Sequence, residues 1–246
     1  MRLAFSTVSL AALALLSACG ESQPGAAPTD LKEVKSDGEL EVARRALPAG
    51  DFLDLKLGAR IVGPSGDEVA TRMTNEAGAF ADMTSYVACP AGFTVCDPAT
   101  LPAGTVYTYV HVVYPGEDND PTTGSGTGND SSNVESATLF RLIRPARGFT
   151  GNAGYAKAEA LAAIGEDGTV VISCEGEALA WTIDAGDGGD QWKQAEPITF
   201  YWQSTVPPAG PSRAYEIFAN DVAAQGSGPY PADNPAAGGA CPARPN

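Results

Sequence analysis

The sequence predicts a mainly β protein, a β-sandwich that carries one short helix. Apolar residues recur with a period of two over residues 53–61, a pattern typical of a strand with one buried face. The turn-forming segment 63–66 (Gly-Pro-Ser-Gly) follows it directly. Residues 155–164 differ, because Ala, Lys, Glu and Leu dominate and Gly165 follows them. We expect a helix there, although alternation of larger residues with alanine leaves a strand open.

Further apolar runs predict the other strands of the sandwich. The strongest is 105–114, which is rich in Val, Thr and Tyr. The others are 138–144, 169–174, 178–183, 198–204 and 214–220. Many short strands with intervening turn signals favour two packed sheets. An immunoglobulin-like or fibronectin-like topology is compatible with this pattern, although the diagnostic Cys…Trp…Cys spacing is missing from the sequence.

The N-terminus has the pattern of an export signal. Arg2 is followed by an apolar run over residues 3–16, which is shorter than the roughly 20 apolar residues that a membrane span requires. The run ends in Leu16-Ser17-Ala18-Cys19, which resembles the lipobox of bacterial lipoproteins. That resemblance implies removal of a signal peptide, residues 1–18, and a lipid on Cys19. The alternative is an ordinary cleaved signal followed by an unrelated cysteine.

Residues 19–38 predict a lipidated, flexible tether. The segment is rich in Pro, Gly, Ala and charged residues and shows no apolar periodicity, so it cannot bury enough surface to become ordered. Gly20, rather than Asp, follows the cysteine. By resemblance to Gram-negative lipoproteins this implies the outer membrane, with the lipid as the membrane contact. Residues 39–246 are then expected to form one domain, including an acidic Gly/Ser-rich loop at 116–136 and a Pro/Gly-rich tail at 226–246.

The charge balance excludes some classes of partner. The chain has 15 Lys and Arg residues against 30 Asp and Glu residues, and removal of the signal takes away Arg2. A nucleic-acid-binding protein needs clustered positive charge to displace counterions from phosphates. The excess of acids therefore argues against nucleic acid as a partner, and also against electrostatic adhesion to anionic lipid.

Four cysteines remain beyond the lipobox: Cys89, Cys96, Cys174 and Cys241. An even number in an exported protein predicts two disulfides, for which three connectivities exist. We favour Cys89–Cys96, which closes a short loop, and Cys174–Cys241, which ties the tail to a core strand. A zinc site is disfavoured because the sequence has one histidine and no Cys-x-x-Cys motif.

Calcium is the one cofactor that the sequence suggests. Asp184, Asp187 and Asp190 lie three residues apart in a glycine-rich segment. Carboxylates and glycine carbonyls are suitable oxygen ligands for calcium. Glu117, Asp118 and Asp120 form a weaker second cluster in the 116–136 loop. The alternative is that these are ordinary turn residues, because Asp and Gly are both common in β-turns.

Three ring-bearing residues predict a binding surface. Tyr107, Tyr109 and His111 occupy one face of the 105–114 strand, and Val110 and Val112 occupy the other. If the valine face is the core, the three rings form an exposed row suited to a sugar or a protein. The alternative is that the strand is central and the rings are covered.

No catalytic residue can be assigned from the sequence. His111 is the single histidine, it lies in the middle of a strand, and no Gly-x-Ser-x-Gly motif occurs. We therefore expect a non-enzymatic envelope protein that binds a ligand, protein or glycan, or that has a structural role. The alternative is an envelope hydrolase that acts on glycan or peptide through paired carboxylates, because 30 acids provide many candidate pairs.

Overall fold

Two β-sheets make up most of the folded chain. The computed structural model describes residues 46–61, 68–74, 80–115, 137–184, 192, 196–219, 222–233, 237–238 and 241, all within the compact unit Asp37–Asn246. Within these ranges, no helix is long and apolar enough to cross a membrane.

The described ranges contain thirteen strands and one α-helix. In chain order they are β1 (Ala46–Leu47), β2 (Ala49–Asp51), β3 (Leu57–Arg60), β4 (Val69–Thr74), β5 (Phe80–Pro90), β6 (Tyr107–Pro115), β7 (Ala137–Leu142), β8 (Phe149–Tyr155), α1 (Lys157–Ile164), β9 (Thr169–Glu175), β10 (Ala178–Asp184), β11 (Ile198–Ser204), β12 (Pro208–Ala219) and β13 (Val222–Pro231). The helix is the one that the sequence predicts, because its alanine-rich composition favours helix over strand.

The strands form a six-stranded and a seven-stranded sheet. Sheet A has the order β1-β9-β10-β7-β12-β13, and sheet B has the order β2-β8-β11-β6-β5-β3, with β4 also paired to β5. All strand pairs are antiparallel except β2 with β8. The predicted β-sandwich with one short helix is therefore confirmed. Its two sheets have six and seven strands, whereas those of an immunoglobulin constant domain have four and three.

The first predicted strand, 53–61, is only partly a strand. Phe52–Asp54 form a 3-10 helix, because the Asp51 carboxylate accepts a hydrogen bond from the Leu53 backbone N–H at 3.2 Å and caps the turn. Within residues 53–61, only Leu57–Arg60 belong to a strand. Leu53 is 72% exposed. The alternating pattern at the start of the predicted strand therefore does not mark a buried face.

Seven rings form an aromatic layer between the two sheets. Sheet A contributes three of them: Phe140, Trp181 and Tyr215. Sheet B contributes the other four: Tyr109, His111, Phe200 and Trp202. Phe140 stacks on Phe200 across the layer with ring centroids 4.9 Å apart. Offset and tilted ring pairs of this kind contribute about 0.5–1.5 kcal/mol each beyond the area that they bury.

An ionic network joins four strands of sheet A. Arg141 on β7 contacts Glu216 on β12 at 2.6 Å and Glu175 on β9 at 3.1 Å. The second Glu216 oxygen accepts a hydrogen bond from the Gln225 amide of β13 at 3.0 Å. Glu216 is 5% exposed, so these contacts offset the cost of burying its polar side chain.

Both predicted disulfides are confirmed. Cys89 is bonded to Cys96, and Cys174 is bonded to Cys241. The second bond spans 67 residues and holds the end of the chain against β9. The predicted Pro/Gly-rich tail, however, begins inside the sheet, because residues 226–231 belong to β13.

We expect Arg141→Gln to lower the free energy of unfolding by about 2–3 kcal/mol, because it leaves the buried Glu216 carboxylate without its cation. Glu175→Gln is the matched control. It removes the exposed partner of the same arginine and should cost less than about 1 kcal/mol. Urea unfolding at neutral pH measures both values. Equal losses in the two variants would contradict a dependence on Glu216.

Candidate binding site

One end of the sandwich combines both disulfides with most of the described loops. In the strand register, the end of β5 lies beside the start of β6, and the end of β11 lies beside the starts of β6 and β8. We name this region the disulfide end. Its members are residues 91–106, 143–148, 176–177, 205–207 and 232–233. Loops held at one end of a rigid sandwich are common binding surfaces.

Hydroxyl groups from the core strands fix these loops. Tyr109 donates to the carbonyl of Val206 at 2.8 Å, and Ser204 donates to the carbonyl of Arg147 at 2.7 Å. Gly148 has a φ of 65°, a conformation that favours glycine. Its carbonyl accepts a hydrogen bond from the Thr205 backbone at 3.0 Å. The loops of this end are therefore tied to one another as well as to the sheets.

An open groove of about 550 Å³ lies between β3 and the loop that the Cys89–Cys96 bond closes. Arg60 and Asp97 are the charged residues that line it. Val95, on the same loop, is 71% exposed. The groove thus places an apolar side chain beside two opposite charges on a cross-linked loop.

A cluster of polar and cationic side chains joins another part of the disulfide end to the adjoining strands β12 and β13. We name it the arginine cluster; its members are Arg144, Arg147, Ser212, Tyr230 and Asp233. The Arg144 guanidinium lies 4.2 Å from the centroid of the Tyr230 ring and donates to the Ser212 hydroxyl at 3.1 Å. Asp233 Oδ1 lies 3.5 Å from Arg144 Nη2 and 3.4 Å from Arg147 Nε.

The cluster holds more positive than negative charge. Two guanidinium groups share one carboxylate oxygen, in a protein whose formal net charge is −15. Burial raises the pKa of Tyr230, and the two nearby arginines offset part of that rise. The Tyr230 hydroxyl is thus a neutral donor, and it donates to the Pro145 carbonyl at 2.5 Å.

Sequence reasoning missed this cluster, although a signal was present. Arg141, Arg144 and Arg147 fall within seven residues of a chain that has only 15 basic residues. Their spacing in the sequence does not show that they are separated in space. Arg141 belongs to the ionic network of sheet A, whereas Arg144 and Arg147 pair with Asp233. Asp233 and Tyr230 come from the segment predicted to be a tail.

The predicted exposed row of rings is wrong. Tyr107, Tyr109 and His111 are 3%, 0% and 0% exposed, because β6 lies in the middle of sheet B and this face packs against sheet A. The alternative interpretation, in which the rings are covered, is the correct one. A partner cannot reach these three side chains in the folded protein.

His111 belongs to a buried pair rather than to a catalytic group. Its Nδ1 lies 2.9 Å from Ser85 Oγ, and the Tyr215 ring covers it with a centroid separation of 4.2 Å. Its Nε2 has no hydrogen-bond partner among the described residues. Burial lowers the pKa of His111 to about 3, so the ring is neutral near pH 7.

The calcium and lipid predictions fall largely outside the described residues. Asp184 ends β10 and is exposed, whereas Asp187 and Asp190 are not described, nor are Cys19 and the 116–136 cluster. In the part of the chain that is described, no three His, Cys, Asp or Glu side chains converge as metal ligands would. Both predictions therefore stay predictions.

No protein-family model, curated protein or solved structure matches this chain.

We expect His111 to make the protein less stable in acid. The unfolded chain binds a proton on this residue below pH 6.5, while the folded chain excludes it down to about pH 3, so stability falls as the pH falls through this window. Between pH 7 and pH 5 the loss due to His111 should be about 2 kcal/mol. Urea unfolding at both pH values should give a smaller difference for His111→Gln than for the natural chain. An identical pH dependence would show that the histidine is not excluded from protonation.

Proposed function

We propose that this protein is a lipid-anchored component of a bacterial envelope whose β-sandwich binds a partner through the disulfide end. The proposal of an anchor is supported by the lipobox resemblance at residues 16–19 and by the composition of the predicted tether. Stable attachment then needs no apolar surface on the domain, because the acyl chains supply the membrane affinity. The outer membrane is the proposed location.

The observation that carries the binding role is the exposure of Val95 on a loop braced by the Cys89–Cys96 disulfide. A loop that is already ordered loses little conformational entropy when it binds. Arg60 and Asp97 line the adjoining groove and supply a polar rim around the apolar contact, as is common at protein interfaces.

A non-enzymatic role is supported by the position of the only histidine. His111 is fully buried and is covered by Tyr215, so it cannot exchange a proton with a bound substrate. Binding without chemistry requires only the shape and charge of the loops, which the disulfide end supplies.

Lipidation at Cys19 is tested by metabolic labelling with an alkyne-bearing fatty acid in a Gram-negative host. We expect label on the natural chain and its complete loss in Cys19→Ser, because the thiol is the acylation site. The Cys89→Ser/Cys96→Ser double variant is the control and should keep the label. Label that persists in Cys19→Ser would contradict the proposed anchor.

Partner binding is tested with a photo-crosslinking amino acid at position 95 in the cells that produce the protein. We expect a discrete adduct, because the loop presents this position to a partner. The same amino acid at position 161 is the control, since Leu161 is also an exposed apolar residue but lies on α1. An adduct at position 161 as strong as that at position 95 would contradict a specific role for the disulfide end.

A further inference from the structure

We infer that the arginine cluster is a binding site for a carboxylate group of a partner polypeptide, and that Asp233 is the internal carboxylate which the partner displaces. The inference deepens the proposed function and rests on it, because it names the chemistry by which the disulfide end recognises its partner. Four features of the cluster carry the argument.

Arg144 is held in place before any ligand arrives. Its guanidinium lies over the Tyr230 ring at 4.2 Å and donates to Ser212 at 3.1 Å. Tyr230 is itself fixed, because its hydroxyl donates to the Pro145 carbonyl. A planar guanidinium fixed by stacking retains donors for a planar carboxylate.

Arg147 has a donor that the described part of the chain leaves unused. Its Nε is buried and has no hydrogen-bond partner among the described residues, even though Asp233 Oδ1 is only 3.4 Å away. A buried donor without a partner is unfavourable. In the inferred complex, the ligand carboxylate takes the place of Asp233 beside this N–H and accepts its hydrogen bond.

Asp233 is a weakly held occupant. Its side chain is 74% exposed, and ion pairs in water are weak because solvent screens them. It places one oxygen near both arginines and leaves the cluster with one positive charge in excess. A carboxylate of the partner can therefore replace that of Asp233. The exchange adds a hydrogen bond and leaves the net charge of the cluster unchanged.

The ligand class follows from the charges and from the occupant. The formal net charge of −15 repels polyanions at long range, which favours a single carboxylate over a phosphate-rich ligand. Asp233 is itself a carboxylate carried by a polypeptide, so a similar group on another polypeptide fits the cluster. An acidic side chain or a C-terminal carboxylate meets this description.

The test is a titration of the full-length chain with N-acetylaspartate N-methylamide, which carries one carboxylate, followed through the arginine Nε–Hε signals in nitrogen-correlated NMR spectra. We expect Asp233→Asn to bind the probe at least five-fold more tightly than the natural chain, with the largest shift at Arg147. Asp167→Asn is the matched control, since it removes one negative charge from an exposed residue outside the disulfide end and should leave the affinity unchanged. Arg147→Gln added to Asp233→Asn should abolish the gain.

Three outcomes would overturn the inference. An equal gain in Asp167→Asn would mean that only long-range charge is involved. Galacturonate binding as tightly as N-acetylaspartate N-methylamide would point to a glycan instead of a polypeptide, and tighter binding of inorganic phosphate would reject the carboxylate class. Thermal unfolding of each variant confirms that it is folded. The crosslink at position 95 does not depend on this cluster, so failure here is distinguishable from failure of the proposed function.

Discussion

The aromatic layer between the two sheets is the constraint on which the rest of the structure depends. Phe140 and Trp181 of sheet A both contact Phe200 of sheet B, at centroid distances of 4.9 and 5.8 Å. The Trp181 indole also donates across the layer to the Gly154 carbonyl at 3.1 Å. Large rings tolerate few relative positions at native packing density. The layer therefore fixes how far apart the sheets lie and how they are aligned. It also fixes the positions of the strand ends.

The same layer controls the geometry of the loops. Tyr109 stacks on Trp202 at 4.6 Å inside the core, and its hydroxyl reaches out to the carbonyl of Val206 in the loop after β11. Tyr230 makes the equivalent link from β13 to the loop after β7. Each side chain is almost fully buried and has an apolar body in the core and a polar tip that donates to a loop carbonyl. Because core rings hold the loops directly, a charged group such as Arg147 keeps a defined position near the solvent.

The sequence was sufficient to predict the features that follow from local pattern, namely the sandwich, the helix and the two disulfides. It could not predict the features that depend on which face of a strand is covered. The rings of β6 and its valines are both apolar enough to be buried, and Val110 is as fully buried as Tyr109 and His111, so the local pattern cannot show which side chains face sheet A. Gly226 is a similar case: β13 passes so close to Met73 that a Cβ would lie 2.7 Å from its Cγ, and a glycine-rich segment therefore suits a strand. The arginine cluster combines segments more than 80 residues apart, a distance at which local pattern carries no information.

The short strands that begin the described chain affect how the protein responds to force. β1 has two residues and lies at the edge of sheet A, and β2 has three residues and lies at the edge of sheet B. Tension applied from the N-terminal side reaches these two strands before any other described part of the chain. Few backbone hydrogen bonds hold them, whereas strands such as β12 are joined over ten or more residues. These two short edge strands are therefore the first described elements that such tension would separate from the sheets, ahead of the aromatic layer.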